Sequence, residues 1–463
     1  MVAIGERAPA VRRRLAAGLL LTALAARPAG AQDVDKLLKA SADFNAVQSV
    51  YQQAVPHTDK NGNVLLTYDP ERSFFQIGIW GNPYGEIYGH TYDLKVLTDA
   101  GFNTMWPWPR GLEEELAQGA KYGLQVVHMR PLDLELAARC KDHPNWLGNV
   151  WKDEPTGSFW GKDMEARYQE FLAYKAKLNA AAPGRAVFIN DVPWVTAPAT
   201  SWWVKWNTAG DVACHDNYPV MARGQRSRTL GDEGVKTGIP TTVALAAAVN
   251  HEQKPVWLIV GAFSQRTHGA FPFRFPTPMQ LRAQVYAGLI HGATGIIYFC
   301  WDTYVCRDGG VVGMSPDPQT AYLEGGPGKP HPTPVKPVEL AEAKALWLTA
   351  AAVNREVKAL TPSLLSPTVP AAVKYGLKSE GKPVSDMPLR CLLKPHPDGG
   401  YVLLTVNLDD AVMKAVYEFP AGLVTVQPLF EERPPLELNA ERKGFEDMYD
   451  PFEVHVYRVV PKA

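Results

Sequence analysis

Short apolar runs alternate with helical stretches from residue 73 to 302, and this alternation leaves few folds open. The runs are 74–79, 103–106, 124–129, 147–151, 186–189, 211–214, 255–260 and 294–299. Each contains β-branched or aromatic residues and is bounded by turn formers, so each predicts a strand. Helical stretches fall at 92–100 (ended by Gly101), 112–122 (ended by Gly123), 132–141, 164–181 and 277–291. Strand and helix in repetition give parallel strands joined by crossovers. Eight such units predict an α/β fold, a (β/α)8 TIM barrel. A doubly wound open sheet is the rival, but it wants a glycine-rich phosphate turn after an early strand, and none is present.

In a barrel, function sits on the loops after the C-terminal strand ends. Polar and aromatic residues should therefore gather after each run, and they do. The first is followed by Trp80, Asn82 and Tyr84, the second by Trp106, Trp108 and Arg110, the third by His128 and Arg130. Lys152, Asp153 and Glu154 follow the fourth, Asn190, Asp191 and Trp194 the fifth, and His215, Asp216, Asn217 and Tyr218 the sixth. Ser264, Gln265 and Arg266 follow the seventh, and Trp301 and Asp302 the eighth. Strands end where polarity begins, which explains some of this. It does not explain the tryptophans or the paired carboxylates.

The carboxylates stand in Trp151-Lys152-Asp153-Glu154-Pro155, where proline forbids the strand from continuing. Glycosidic hydrolysis needs one carboxylic acid to protonate the leaving oxygen and a second as nucleophile or base. Glu154 beside Trp151 and Pro155 is the candidate acid, since partial burial raises a carboxyl's proton affinity. The plainer reading is that Asp153 or Glu154 caps the next helix. Trp80, Trp106, Trp108, Trp194 and Trp301 are candidate sugar platforms, because C–H faces of sugars pack on indoles. Trp202, Trp203 and Trp206 form a further wall or pack on a helix. His128 and His215 read as hydrogen-bonding groups in the cleft. Lys152, Asn190, Tyr218, Gln265 and Asp302 complete the candidate substrate contacts.

The ends and the composition set the setting. Arg12-Arg13-Arg14, an apolar run at 15–26 and Ala29-Gly30-Ala31 predict a cleaved secretion signal over 1–31, hence a secreted or periplasmic protein. That segment holds five Arg and one Glu, so of the formal charge of −1 the remainder carries about −5. A mildly acidic chain with no basic tract predicts neither nucleic-acid nor membrane partners. The five cysteines make no dense framework; Cys300 and Cys306 could pair, and buried free thiols are the simpler reading. Scattered histidines with no HExxH or CxxC predict no metal, and neither a G-x-S-x-G elbow nor a Walker loop occurs. No cofactor is expected. After Pro362 the texture turns β-rich, so the division is 1–31 signal, 32–362 barrel and 363–463 a small all-β sandwich.

The segment from His143 to Pro155, ending Trp151-Lys152-Asp153-Glu154-Pro155, resembles the fourth-strand signature of secreted (β/α)8 glycoside hydrolases. Gly78-Ile79-Trp80 with Ala100-Gly101-Phe102-Asn103 resembles their first two strands. Asp216-Asn217-Tyr218-Pro219 resembles their sixth-strand end, and Trp301 their eighth-strand tryptophan that floors the sugar-cleaving subsite. The stretch 401–458 resembles their appended β-sandwich. The resemblance implies that Glu154 is the acid/base and that the substrate is a carbohydrate. It departs at strand seven, where Val260-Gly261-Ala262-Phe263-Ser264-Gln265 lacks the nucleophile carboxylate. Three replacements are open. Asp216 stands first, then Asp302. In the third, similar to hexosaminidase-type enzymes, the substrate's acetamide attacks, oriented by Asp153. The alternative class is a carbohydrate-binding barrel that has lost the second carboxylate and its catalysis.

Overall fold

The computed structural model describes residues 57–58, 64–66 and 74–461, except 88–89, 160–162, 194–198, 222–229, 231–237, 251–253, 268–272, 307–308, 318–334, 367–373, 379–387, 420–422 and 439–442. The expected secretion signal and Trp194 lie outside these.

Eight parallel strands close into a barrel. They are β1 (Gln76–Asn82), β2 (Thr104–Pro107), β3 (Gln125–His128), β4 (Trp146–Asp153), β5 (Ala186–Asn190), β6 (Ala213–Asn217), β7 (Val256–Gly261) and β8 (Gly295–Phe299). β8 pairs back onto β1, Ile296 opposite Ile77. A helix follows every strand: α1 (Lys95–Asp99), α2 (Leu112–Tyr122), α3 (Leu134–Cys140), α4 (Met164–Ala181), α5 (Ala199–Ala209), α6 (Ile239–Val249), α7 (Pro278–Ile290) and α8 (Pro337–Leu364). The chain is a (β/α)8 barrel.

β6 begins later than the sequence suggests. Asp211 stays below the strand, where it accepts from the Val187 N–H at 2.8 Å and pairs with Lys175. Cys214 and Asp216 then share one face of β6, and His215 takes the other.

Large rings fill the barrel. Trp106, Phe188 and Trp257 pack edge to face with centroids 5.1–6.1 Å apart, and Trp80 stacks on Trp106 at 5.3 Å. Glycines make the room. A Cβ on Gly295 would lie 2.5 Å from Trp257 Cδ1, and one on Gly78 3.1 Å from Trp106 Nε1.

The C-terminal strands are β9 (Lys374–Lys378), β10 (Leu389–Pro395), β11 (Tyr401–Asn407), β12 (Met413–Glu418), β13 (Leu423–Leu429), β14 (Gly444–Tyr449) and β15 (Val454–Pro461). They form two antiparallel sheets, β10-β11-β15-β13 and β9-β12-β14. Leu403 and Tyr457 of the first share a core with Tyr417 and Phe445 of the second, whereas Val402, Leu404, Val406 and Val454 belong to the barrel's core. β11 is thus buried on both faces, which is why Tyr401 to Val406 reads as a nearly continuous apolar run broken only by Thr405. Arg282 of α7 fastens the join: its Nε meets Glu356 of α8 at 3.1 Å and a terminal nitrogen donates to the Val454 carbonyl at 2.7 Å.

One buried histidine makes this C-terminal region sensitive to pH. Burial disfavours its charge, but Glu431 at 2.7 Å and Glu453 at 3.4 Å more than reverse this, raising His455 from 6.5 to about 9. A raised folded value stabilises fully below the unfolded one. On the order of 3 kcal/mol is therefore expected to be lost as pH climbs from about 6.5 to about 9. Urea unfolding at pH 6 and pH 9.5 measures it. His455→Gln should flatten that dependence; an unchanged slope in the variant would refute the assignment.

Candidate active site

β4 ends irregularly. Its register to β5 slips between Val150 and Asp153, a bulge that re-aims the last residues. Glu154 then takes φ 48°, a left-handed conformation that costs a non-glycine residue roughly 1 kcal/mol. Its N–H donates to the Asn190 carbonyl at 2.7 Å, and its carbonyl accepts from the Ser158 N–H at 2.9 Å. Pro155 opens a short helix, Pro155–Phe159, where its missing N–H is harmless. Backbone strain held by hydrogen bonds beside a candidate acid is a mark of a functional position.

Asn190, the last residue of β5, joins the neighbours on both sides. Its Nδ2 donates to Asp153 Oδ1 at 3.0 Å and to Asp216 Oδ1 at 2.9 Å. Those two oxygens therefore lie within about 6 Å of each other. The Cys214 thiol donates to Asn190 Oδ1 at 3.6 Å, so both ends of the amide are engaged. Asn190 is thus a holder of carboxylates more than the substrate contact expected from its place in the sequence.

Asp216 is 3 % exposed. Burial pushes its carboxyl well above the usual carboxylate range, and the charges of Glu154 and Asp153 push it further, against the Asn190 hydrogen bond. Asp191 is also raised, first by burial, and accepts from the Thr156 N–H at 3.2 Å and hydroxyl at 2.5 Å, which anchors the short helix after Glu154. Carboxyls this close resist ionising together, so the proton that burial and mutual repulsion favour belongs to the cluster and not to one side chain. Partial burial argued for a proton on Glu154, but the more deeply buried carboxyl is Asp216.

Across the mouth, Asp302 has another partner: its Oδ2 accepts from Trp108 Nε1 at 2.9 Å. Over β7 lies a cluster of rings. Tyr218 stacks on Phe299 at 5.6 Å and meets Phe263 and Phe273 edge-on at 5.1 and 5.9 Å. A Cβ on Gly261 would lie 3.1 Å from Tyr218 Cδ1. Aromatic packing occupies the space where a side chain at the end of β7 would point. Burial pushes the Tyr218 phenol up, with Asp216 and Glu154 adding to the shift, so it stays neutral.

Several expected contacts lie elsewhere. Trp106 is 0 % exposed, and Trp80 lies against Trp106 and Phe299, so neither offers an open face. Both point inward within their strands, where the ring layer needs them. His215 faces the helices: its Nε2 lies 3.2 Å from the Thr242 hydroxyl of α6, and burial lowers it to about 3, so it is neutral. His128 Nδ1 pairs at 2.7 Å with Glu115, buried on α2, which nothing in the sequence singled out. Lys152 lies over the Phe159 ring at 5.8 Å. Gln265 stands on a short strand beyond β7, Ser264–Thr267, which pairs antiparallel with Gly309–Val312, and its N–H donates to the Phe273 carbonyl at 2.9 Å. Trp203 and Trp206 are buried on α5, and Trp206 stacks on Trp151. Cys300 is a free buried thiol and not half of a disulfide.

No protein-family model matches the chain, and no curated protein matches it. Solved structures do. A family 5 glycoside hydrolase from Bacteroides vulgatus is 14% identical, with 90% of this chain and 94% of that one covered and a TM-score of 0.48. A family 39 glycoside hydrolase from Bacteroides cellulosilyticus is 12% identical, covering 83% and 80%, with a TM-score of 0.47. A β-galactosidase from the psychrophilic Marinomonas ef1 is 13% identical, covering 64% of this chain and 62% of that one, with a TM-score of 0.42. This chain therefore spans less than two thirds of that galactosidase. The barrel itself rests on the strand pairing described above.

Proposed function

We propose that this chain is an exported glycoside hydrolase that cleaves O-glycosidic bonds by carboxylate acid/base catalysis. One observation carries the reading: Asp153, Glu154 and Asp216 converge from β4 and β6, on either side of Asn190, at the C-terminal end of a closed barrel. Coupled carboxyls of this kind suit a reaction that needs one protonated and one ionised carboxyl. Glu154 is only half-buried, within reach of a leaving oxygen, and delivers the proton. Asp216 shares the cluster's proton with Glu154 and serves as the counter-carboxylate when Glu154 carries it, and Asp153 is fixed beside it by the shared amide.

A second reading, a carbohydrate-binding barrel without catalysis, is favoured by the rings that close the end of β7. Hydrolysis of aryl glycosides and polysaccharides, N-acetylated ones included, divides the two. Turnover of none of them would leave binding alone. Asp216→Asn adds a pH test. The cluster's last proton is bound tightest because the other carboxylates repel its loss, and removing one relaxes that. The alkaline limb of kcat/KM should therefore move to lower pH in this variant; a limb that stays put would remove Asp216 from the machinery.

A further inference from the structure

We propose that Cys214 and Asn190 act together as positioning residues: the thiol fixes the direction of the Asn190 amide, and that direction decides which carboxyl oxygens of the cluster are barred from holding its proton. This rests on the carboxylate reading above. Both residues are buried. An amide donates at one end and accepts at the other, and the partners of Asn190 differ in kind at its two ends. Nδ2 donates to Asp153 Oδ1 at 3.0 Å and to Asp216 Oδ1 at 2.9 Å, which engages both of its hydrogens. Cys214, two residues before Asp216 on the same face of β6, donates to Asn190 Oδ1 at 3.6 Å. Burial raises this thiol well above its usual range, and the charges of Asp216 and Asp153 add to the shift, so the sulfur keeps the hydrogen it gives.

The reversed amide would set its oxygen against two carboxyl oxygens and its N–H groups against the thiol. Two hydrogen bonds to carboxylates would give way to two repulsive contacts. Only one direction therefore satisfies both sides. The consequence is atomic. A carboxyl oxygen that accepts from Nδ2 is a poor place for a proton, because a protonated oxygen is a weak acceptor. Asp153 Oδ1 and Asp216 Oδ1 are barred in this way, and the proton is left to the cluster's other carboxyl oxygens. The further titratable groups that face the cluster do not compete for the amide. Both oxygens of Asp191 accept from Thr156, and Tyr218 stays neutral. His215 points away, toward α6. Asn190 thus favours ionised Asp153 and Asp216 only while the thiol keeps its Nδ2 turned toward them.

Infrared difference spectra of the full-length protein test this with no substrate. The C=O stretch of a protonated carboxyl, followed against pH, reports the cluster through the band that Asp216→Asn removes. Losing the Nδ2 donor should move that band's titration about one pH unit upward in Asn190→Leu, and about half as far in Cys214→Ala. Cys214→Ser leaves a similar gap but retains an O–H donor, and should return the titration to the wild-type position. The S–H stretch, assigned by its loss in Cys214→Ala, should rise to the free-thiol frequency in Asn190→Leu. On any aryl glycoside that the wild type cleaves, the acid limb of kcat/KM should move to higher pH in the same order, with KM little changed. Equal shifts in Cys214→Ser and Cys214→Ala would make the cysteine a packing residue and overturn the inference. So would a titration or an S–H band that Asn190→Leu leaves in place. Should Asn190→Leu not fold, the two Cys214 variants decide. If the wild type cleaves no glycoside, the hydrolase reading fails alone, and the two infrared bands still decide the positioning.

Discussion

Glu154→Gln is expected to fold like the wild type and to lose on the order of a thousandfold or more in kcat. The amide matches the carboxyl in shape, and glutamine bears φ 48° no worse than glutamate, so the hydrogen bonds to Asn190 and Ser158 remain. What disappears is the proton. The loss should therefore depend on the leaving group: dinitrophenyl glycosides, whose phenolate departs unaided, should lose far less than alkyl glycosides or oligosaccharides. Circular dichroism and Tm check the fold, and a leaving-group series checks the chemistry. A variant that cleaves alkyl glycosides at the wild-type rate, or one whose loss is equal for all leaving groups, removes Glu154 from the acid role.

Gly295→Ala should cost roughly 3 kcal/mol. The new methyl would lie 2.5 Å from Trp257 Cδ1 and 2.9 Å from its Nε1. That indole cannot swing aside, because Phe188 and Trp106 pack against it. Thermal unfolding should show a fall in Tm of roughly 3–4 °C. Gly157→Ala is the control: it adds the same methyl in a helix where nothing lies within 4 Å, and should leave Tm unchanged or slightly higher. Equal Tm values for the two variants would mean that the ring layer yields, contrary to the packing described.

The strands were legible because buried parallel strands are apolar throughout and end abruptly. α4 was legible to the residue, at Met164–Ala181, between an Asp cap and a Pro-Gly turn. α6 was not, because its run of alanine, valine and threonine is buried nearly all round and shows no polar face to set a period. At the site, sequence gave the residue types at each strand end but not which way each side chain points. A slip of one residue exchanges the two faces of a strand. β6 runs on to Asn217, so strand alternation turns Asp216 toward Asn190 and His215 toward α6. Trp106 lies inside β2, as the run at 103–106 implies, and its ring packs inward on Trp80, Phe188 and Trp257 and offers no open face. The role of Asn190 had no signal, since an amide that bridges two carboxylates looks like any other asparagine in a sequence.

The sheet containing β11 and β15 has consequences for how the protein can be altered. Stripping the tail from such a chain would leave α7 with a bare greasy flank where Val402, Leu404, Val406 and Val454 had lain. The tail, freed in turn, would expose that same row to water and invite clumping. The two halves are therefore poor candidates for mixing and matching with other proteins.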